Sequence, residues 1–421
     1  MNENLAPRLE TSIGSFLNWL EGYGEVSYDH QSFFASPLGR SAKALYYRKP
    51  LLGTLAVSPM IFCEALLPLA RRLFWKPQRF PIADAHYAMG FALLSRVYGD
   101  EKYYRKAVHF LEVLEQTRCP NYDDYCWGYP FSWETRYGTF TMGTPLITTL
   151  PYVYEAYSAV YAIDSNPRWF RIMQSIAKHA AVAYRDMETG PDAASCGYTP
   201  SPKDPCGVIN ASAYRAFLLT KAAIELSEPR YLEVAKRNLN FVLSSQNENG
   251  SWYYAIDGIR DFIDHFHTCF VLKALIKIDD LTGNQQNRSA IERGVGYFVK
   301  HLVDANGLPL PFSKRPRMTV YKREMYDYAE CINLGTLLLG QFDELDKIVS
   351  GVAEDVFVRW QRPNGAFRAR ELLIGWDNVP MHRWAESQMF RSLSFLLSRL
   401  KQPEARIASN SPALRVSNVA H

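Results

Sequence analysis

The sequence of 421 residues lacks the marks of several protein classes. Its seven cysteines are odd in number and form no CxxC pair, so neither a disulfide framework nor a zinc ribbon is indicated. It contains no HExxH, P-loop or GxGxxG motif, which leaves little support for nucleotide-driven chemistry. Lys and Arg number 47 against 43 Asp and Glu, with no basic block, so we expect no nucleic-acid partner.

The N-terminus has neither a basic n-region nor a long apolar h-region, so we expect no signal peptide and a cytoplasmic protein. The most apolar stretch, residues 51–69, is interrupted by Gly53, Pro59, Glu64 and Pro68. These interruptions favour a buried helix over a membrane span. We therefore predict no membrane span.

Aromatic residues are abundant, with 26 Tyr, 23 Phe and 9 Trp. Hydrophobic residues make up 48% of the chain and charged residues 21%, a balance that is typical of a globular protein and excludes disorder. So many rings suit a surface that stacks on flat or ring-shaped ligands.

A weak internal repeat organises the chain. Six apolar helical segments recur along the chain, and they begin near Asp84, Thr144, Val208, Asp261, Tyr326 and His382. Successive starting points are separated by 60, 64, 53, 65 and 56 positions. Each follows a more amphipathic segment, at 61–74, 102–117, 167–187, 230–245, 289–303 and 344–360. The long connections between them contain Asn-Gly dipeptides, which favour tight turns.

This pattern predicts an all-α fold, an (α/α)6 toroid of six helical hairpins with short β-hairpins in the long loops. The alternative is an open helical solenoid of similar period. We expect an N-terminal helix and covering loop over residues 1–50, the toroid over 51–401 and a polar tail over 402–421. The long loops then open on one face, where the N-terminal ends of six inner helices meet.

Two segments carry a QxxxGxW/F pattern between an outer and an inner helix, residues 246–252 and 361–367. With the six hairpins, this resembles the superfamily of (α/α)6 toroid enzymes. That superfamily includes six-hairpin glycosidases, unsaturated glucuronyl hydrolases, uronate lyases, glucuronyl C5-epimerases and prenyltransferase or cyclase barrels. Residues 379–390 are similar to a run in bacterial surface-polysaccharide biosynthesis proteins. The resemblance covers about residues 60–400, and it implies a fold more strongly than a reaction.

Candidate catalytic residues are the acids, the histidine and the tyrosines expected at inner-helix starts or in the loops above them. They are Glu134, Asp261, His265, Tyr326, Asp327, Tyr328 and Glu330. Asp261 and His265 stand four positions apart, so on a helix they could hydrogen-bond and orient the imidazole. Two histidines at positions 265 and 267 do not share a helix face, which disfavours a metal pair. For each candidate, a helix cap or a structural ion pair is the alternative interpretation.

Candidate substrate-binding residues combine rings that stack on sugars with polar anchors. They are Asp84, His86, Trp127, Trp133, Arg136, Trp252, Arg323, Trp376, Arg383 and Trp384. Arginine binds carboxylates with two parallel hydrogen bonds, so Arg323 or Arg383 could hold an acidic sugar.

These residues suggest an enzyme for a uronate-containing saccharide or polysaccharide, acting as a glycosidase, lyase or C5-epimerase in surface-polysaccharide biosynthesis. No cofactor is expected, and the oligomeric state is left open. One alternative is a zinc-dependent prenyltransferase- or cyclase-like toroid in which Asp327, Cys331 and His382 bind the metal. Another is a noncatalytic scaffold that binds a glycan or a protein.

Overall fold

The computed structural model describes residues 4–316 and 319–401, so the expected polar tail, 402–421, lies outside the described residues. Within these ranges there are sixteen α-helices: α1 (Leu5–Tyr23), α2 (Ser32–Ala35), α3 (Pro37–Arg48), α4 (Pro50–Leu66), α5 (Arg71–Phe74), α6 (Pro81–Tyr98), α7 (Glu101–Gln116), α8 (Leu150–Asp164), α9 (Pro167–Val182), α10 (Ile209–Glu225), α11 (Tyr231–Ser244), α12 (His265–Thr282), α13 (Arg288–His301), α14 (Met325–Leu337), α15 (Asp343–Asp355) and α16 (Ser387–Lys401).

Six helices form a closed inner ring. Helices α6, α8, α10, α12, α14 and α16 each contact the next, and α16 returns to contact α6. Helices α7, α9, α11, α13 and α15 pack outside the ring, each against the inner helix that precedes it, and α1 packs against α16. The fold is therefore the predicted (α/α)6 toroid, and the contact between α16 and α6 excludes an open solenoid.

The pattern of buried residues on each helix explains whether the helix lies in the inner or the outer layer. Every position of α10 from 209 to 220 is buried, because the helix has neighbours on all sides. Outer helix α7 instead buries one stripe, formed by Ala107, Phe110, Leu111, Val113 and Leu114. Each fully buried leucine stabilises the fold by about 1.5–3 kcal/mol relative to an exposed one.

The two QxxxG segments attach their loops to the next outer helix in the same way. The side-chain amide of Gln246 donates to the carbonyl oxygens of Gly250 at 3.0 Å and of Ala290, in α13, at 2.9 Å. The amide of Gln361 donates to Gly365 at 3.1 Å and to Ser12, in α1, at 2.9 Å. Helix α1 thus takes the place after α15 that α13 takes after α11, and it completes the outer layer.

Only glycine fits at the fourth position after each glutamine. Gly250 has a φ of +89°, and a Cβ atom there would lie 2.3 Å from the carbonyl oxygen of Arg293. Gly365 has a φ of +96°, and its Cβ atom would lie 2.1 Å from the carbonyl oxygen of Ser15. The glycines therefore allow the turn and also the close approach to the next outer helix.

Two predictions about the N-terminal part are wrong. Residues 61–74 do not form the first outer helix, because α1 occupies that position. Residues 51–69 are not a buried helix either, since α4 packs against α3 and buries only Gly53 and Met60. The ring of Phe16 in α1 instead lies 5.3 Å from each of Phe367 and Phe390, far along the chain, where no local pattern could reveal the pairing.

Short antiparallel strands lie in the long loops, as predicted. They are β1 (Trp133–Thr135), β2 (Gly138–Phe140), β3 (Asp186–Gly190), β4 (Ala193–Cys196), β5 (Ile263–Asp264), β6 (Phe312–Lys314), β7 (Tyr321–Glu324), β8 (Arg370–Leu372) and β9 (Trp376–Asp377). The first six form three two-stranded sheets in sequence order, and β7, β8 and β9 form one three-stranded sheet.

Residues 24–80, here called the cover segment, connect α1 to α6 and contain α2 to α5. Asp29 and Arg71 of this segment form buried ion pairs with Arg383 and Asp377, which lie at or before the start of the last inner helix. The cover segment therefore lies across the end of the ring at which the inner helices begin, which we call the mouth. No described helix is both long and apolar enough to cross a bilayer.

Candidate active site

Rings and one guanidinium line the mouth in a continuous series of contacts. The Arg383 guanidinium lies 4.6 Å from the ring centre of Tyr129 and 4.5 Å from that of Trp384. Trp384 contacts Tyr326, and Tyr326 contacts Phe266, each with ring centres 5.1 Å apart. Tyr129, Phe266 and Trp384 are half-buried, so this aromatic surface remains partly open.

An aspartate and a histidine lie at the same surface, at the start of α12. Asp264 is the N-cap of the helix and accepts a hydrogen bond from the backbone N–H of His267 at 2.9 Å. Its second oxygen lies 2.6 Å from Nδ1 of His267. A neutral imidazole held in this way donates from Nδ1 and leaves the lone pair of Nε2 free to accept a proton. The pair is thus arranged as a general base.

The surroundings of His267 are aromatic and confined. Its ring lies 4.4 Å from that of Phe266 and 4.7 Å from that of Tyr254, measured between ring centres. Beside it is a cleft of about 220 Å³, also lined by Asn210, whose side-chain oxygen is buried without a hydrogen-bond partner in the structure. His267 therefore lies at a confined aromatic cleft that also holds an unpaired hydrogen-bond acceptor.

Two further carboxyl groups lie beside Asp264. Burial raises the pKa of Asp327 well above its ordinary value, and the neighbouring charges of Glu324 and Asp264 add to that increase. Both oxygens of Asp327 are buried without a hydrogen-bond partner in the structure. Burial also raises the pKa of Glu324, although Arg370 opposes that shift with a 2.9 Å ion pair. Burial therefore favours the protonated form of Asp327, which can donate a hydrogen bond.

Below the mouth, the inner helices enclose a charged interior, here called the bore. Lys273 forms an ion pair with Glu330, and the Arg391 guanidinium lies 5.4 Å from the ring centre of Tyr152. The ring of His86 lies 4.5 Å from that of Tyr152, and neither ring nitrogen has a hydrogen-bond partner in the structure. Burial and the positive charge of Arg391 lower the pKa of His86 well below its ordinary value, so the imidazole is neutral.

The predicted site residues fall into two groups, and the first lies at the mouth or in the bore. Tyr326, Arg383 and Trp384 belong to the aromatic surface of the mouth, and Asp327 lies beside Asp264. His86 and Glu330 line the bore. The structure brings these six close together, as the convergence of inner helices requires.

The predicted pairing of Asp261 with His265 is wrong. Helix α12 begins at His265, so Asp261 lies outside it and forms a 2.6 Å ion pair with Lys314. Nδ1 of His265 donates to the carbonyl oxygen of Leu302 at 3.1 Å, and burial lowers its pKa to about 4. His265 therefore packs toward the outer layer, and its neighbour two positions on faces the mouth.

Three other candidates point away from the mouth. The hydroxyl of Tyr328 donates to Asp355 of α15 at 2.9 Å. Arg323 is paired with Asp304 and Glu371. Trp376 lies under the Arg368 guanidinium, with 4.8 Å between the charge and the ring centre.

The loop that contains residues 127–137 is only partly available to a ligand. The indole N–H of Trp127 donates to the carbonyl oxygen of Leu114 at 2.8 Å in the core, so Trp127 cannot stack on a sugar. Trp133 stacks on Phe140 at 5.1 Å. Glu134 accepts a 2.7 Å hydrogen bond from Thr139, and Arg136 is exposed at the turn between β1 and β2.

Asp84 and Trp252 have structural partners. Asp84 is buried against Arg79, whose Nε lies 3.1 Å from both carboxylate oxygens. The indole N–H of Trp252 donates to the carbonyl oxygen of Val242 at 2.9 Å, although part of the ring lines the cleft beside His267.

Asp264 and His267 are the residues that sequence reasoning missed. A signal was present, because aspartate is a preferred N-cap residue and it bonds the third residue that follows. An N-cap at Asp264 starts the helix at His265 instead of near Asp261 and places His267 in its first turn. In the described ranges, no three His, Cys, Asp or Glu residues are placed to hold a metal ion, so Asp327, Cys331 and His382 do not form a zinc site.

Comparison with known proteins supports the fold. No family model matches the sequence, and no curated protein matches it. Among solved structures, a cellobiose 2-epimerase from Bacillus thermoamylovorans is similar with a TM-score of 0.58 and 11% identity, over 76% of this chain and 87% of the other. A D-mannose isomerase is similar with a TM-score of 0.58 and 15% identity, over 78% and 89%.

A third similar structure is an inactive alpha-1,6-mannanase from Salegentibacter sp. in complex with alpha-1,6-mannotetrose. Its TM-score is 0.57 at 14% identity, over 76% of this chain and 91% of the other. At these low sequence identities, the similarity of the three structures to this chain concerns the fold alone.

Proposed function

We propose that this chain is a carbohydrate-active enzyme that moves a proton at a saccharide carbon, as an epimerase or isomerase does. The observation that carries the proposal is the Asp264–His267 pair on the aromatic surface of the mouth. Half-buried rings suit the apolar faces of a sugar, and the imidazole beside them suits proton transfer. Two of the similar structures, a cellobiose 2-epimerase and a D-mannose isomerase, favour the same reaction class.

In this proposal, Nε2 of His267 removes the proton from the carbon next to the carbonyl group of an open-chain sugar. The electron pair moves onto the carbonyl oxygen and gives an enediolate. Return of the proton to the opposite face of the same carbon restores the carbonyl group and gives the epimer. Return of the proton to the former carbonyl carbon, together with transfer of the neighbouring hydroxyl proton to the former carbonyl oxygen, gives the isomer. No oxidant or reductant is needed in either case.

Two groups that can donate a proton lie close enough to the mouth to stabilise the oxyanion. Burial raises the pKa of Tyr326 well above its ordinary value of 10, so this hydroxyl keeps its proton at neutral pH. Burial also raises the pKa of Asp327 well above its ordinary value and so favours its protonated form. A neutral donor stabilises a developing oxyanion without adding charge to the site. The N-terminal ends of α12 and α14 contribute a favourable dipole in the same place.

An acidic substrate and a role in surface-polysaccharide biosynthesis remain narrower predictions. The two guanidiniums assigned to a uronate carboxylate already have partners, Arg383 with Asp29 and Arg323 with Asp304. A uronate at Arg383 would have to displace Asp29. Neutral saccharides are therefore the first substrates to try, and uronate-containing ones the second.

Proton NMR in D2O tests the proposal. The purified chain is incubated with neutral aldoses, reducing disaccharides and uronate-containing oligosaccharides. We expect the signal of the proton next to the carbonyl carbon to disappear as the epimer or isomer appears. Loss of the uronate H5 signal would indicate C5-epimerisation, a vinylic signal would indicate a lyase, and a new reducing end alone a hydrolase.

A histidine variant and its control make the test specific. His267→Gln should lower the exchange rate by a factor of about 10²–10⁴, the usual contribution of a general base. His301→Gln changes an exposed histidine at the end of α13 and should leave the rate unchanged. Binding of a sugar without any reaction would favour the scaffold alternative, and equal rates in both variants would contradict the role of His267.

A further inference from the structure

Exposed apolar residues are concentrated in one small part of the structure. Eleven of the 24 large hydrophobic residues that are exposed in the described ranges lie between positions 38 and 73. Leu51 is 87% exposed, Leu55 71% and Leu73 86%. Single exposed apolar residues are ordinary, but a contiguous group of this size marks a binding surface.

The spacing places four of these residues on one face of α4, which forms a helical hairpin with α3. Leu51, Leu55, Phe62 and Leu66 are separated by four, seven and four positions, which places them on one side of α4. The opposite side packs against α3 at Gly53, where a Cβ atom would lie 2.0 Å from the Cα atom of Tyr46. Helix α4 therefore has one face against α3 and one unpartnered apolar face.

The charge of the same segment is strongly positive. Residues 36–79 contain eight Lys and Arg but a single acid, a net charge of +7, whereas the whole chain carries only +4. The acid, Glu64, is bound to Arg370, and Arg71 is bound to Asp377. Arg48, Lys49, Arg72 and Lys76 are exposed and form no ion pair within the described ranges.

We propose that the outer face of the α3–α4 hairpin docks on the surface of an anionic lipid bilayer. Leucines along one face of a helix enter the boundary between headgroups and acyl chains, while flanking cations contact anionic headgroups. Helix α4 has 17 residues and is interrupted by Pro59, so it lies along the surface. A second copy of the chain fits less well, because a symmetric contact would bring two strongly positive faces together.

Vesicle flotation tests the docking without any assay of activity. The purified full chain is mixed with vesicles of phosphatidylcholine alone, or with vesicles in which roughly a third of the lipid is phosphatidylglycerol. We expect the protein to float with the anionic vesicles, and less of it to do so as salt is raised, because salt screens the headgroup charge. A chain that stays at the bottom with both vesicle types would overturn the proposal.

Three double variants separate the contributions of apolar and of charged residues to vesicle binding. Leu51→Ser/Leu55→Ser should lower partitioning into anionic vesicles at least about tenfold, because apolar area is lost from the contact. Arg48→Glu/Lys49→Glu should remove the preference for anionic over neutral vesicles. Val182→Ser/Val358→Ser alters two residues that are each 71% exposed elsewhere on the surface, and it should float like the wild type.

All these positions are exposed, and circular dichroism checks that each variant is folded. Wild-type flotation by the Leu51→Ser/Leu55→Ser variant would contradict the assignment of the face. Light scattering measures the oligomeric state of the wild type without lipid. If the wild type is a dimer and the Leu51→Ser/Leu55→Ser variant is a monomer, a second copy of the chain covers this face instead of a membrane.

Discussion

The side chains of Arg383 and Asp29 form a bidentate ion pair across the mouth, although they are 354 positions apart in the chain. Nε and Nη2 of the arginine each lie 2.7 Å from a different carboxylate oxygen of the aspartate. Both side chains are buried, at 7% and 2% exposure. This pair holds the cover segment against the start of the last inner helix.

Removal of Asp29 should therefore be costly. Asp29→Ala leaves the guanidinium of Arg383 buried without its carboxylate, and we expect it to lower the free energy of unfolding by about 3–5 kcal/mol. The double variant Asp29→Leu/Arg383→Met removes both charges, so its free energy of unfolding should fall by less. Urea denaturation measures the free energy of unfolding of both variants. Glu101→Ala, in an exposed pair with Arg105, should cost less than about 1 kcal/mol. An equally small loss for Asp29→Ala would refute this account of the mouth.

The glycines of the two QxxxG segments should not tolerate a side chain. In Gly250→Ala and Gly365→Ala, the Cβ atom would clash with a carbonyl oxygen of the next outer helix, at 2.3 and 2.1 Å, and both glycines have a positive φ. We expect each variant to lose about 2–5 kcal/mol, from backbone strain together with overpacking. Gly296→Ala and Gly351→Ala, where a Cβ atom meets open space on outer helices, should gain roughly 0.5–1 kcal/mol. Thermal and urea unfolding distinguish the two pairs.

The buried histidine His265 should make the fold sensitive to acid. Its pKa is lowered by burial from 6.5 to about 4. Between these values the unfolded chain binds a proton that the folded chain does not, so the free energy of unfolding falls as the pH falls. The full difference of 2.5 pKa units corresponds to about 3 kcal/mol.

His265→Asn tests this, because its amide can still donate to the carbonyl oxygen of Leu302. Near neutral pH, the free energy of unfolding of the variant should be below that of the wild type by less than about 2 kcal/mol. The variant should also lose less stability than the wild type on acidification. Urea denaturation over the acid range measures both effects. The same substitution at exposed His301 should leave the pH profile unchanged. A variant profile parallel to that of the wild type would mean that His265 does not contribute.

Trp384 and Trp376 were predicted to have the same role, and only the first lies in the mouth. If the proposed function is correct, Trp384→Ala should raise KM about tenfold and change kcat much less, because stacking is lost equally from substrate and transition state. Trp376→Ala should leave both constants near their wild-type values. Steady-state kinetics on the substrate found by NMR measure them. A larger effect at Trp376 would place the binding surface elsewhere.

The sequence by itself determined the two layers of helices, whereas the contact between α16 and α6 decided that the ring is closed. Apolar residues around the full circumference alternate with one-sided apolar stripes six times, and helices of those two kinds must form an inner and an outer layer. The QxxxG segments mark where a loop meets the next outer helix, since glutamine and glycine both act through the local backbone. The location of the mouth followed, because all inner helices begin at one end of the ring.

Tertiary structure decided which side chains meet there. The pairing of β5 with β6 and the N-cap at Asp264 set the start of α12, and each residue of displacement rotates a helical side chain by about 100°. That rotation turned His265 outward and His267 toward the mouth. Contacts between distant segments also determined that α1 completes the outer layer, that Asp29 occupies Arg383, and that the leucines of α4 face outward. Periodicity reports on neighbours within a helix, whereas these outcomes depend on partners hundreds of residues away.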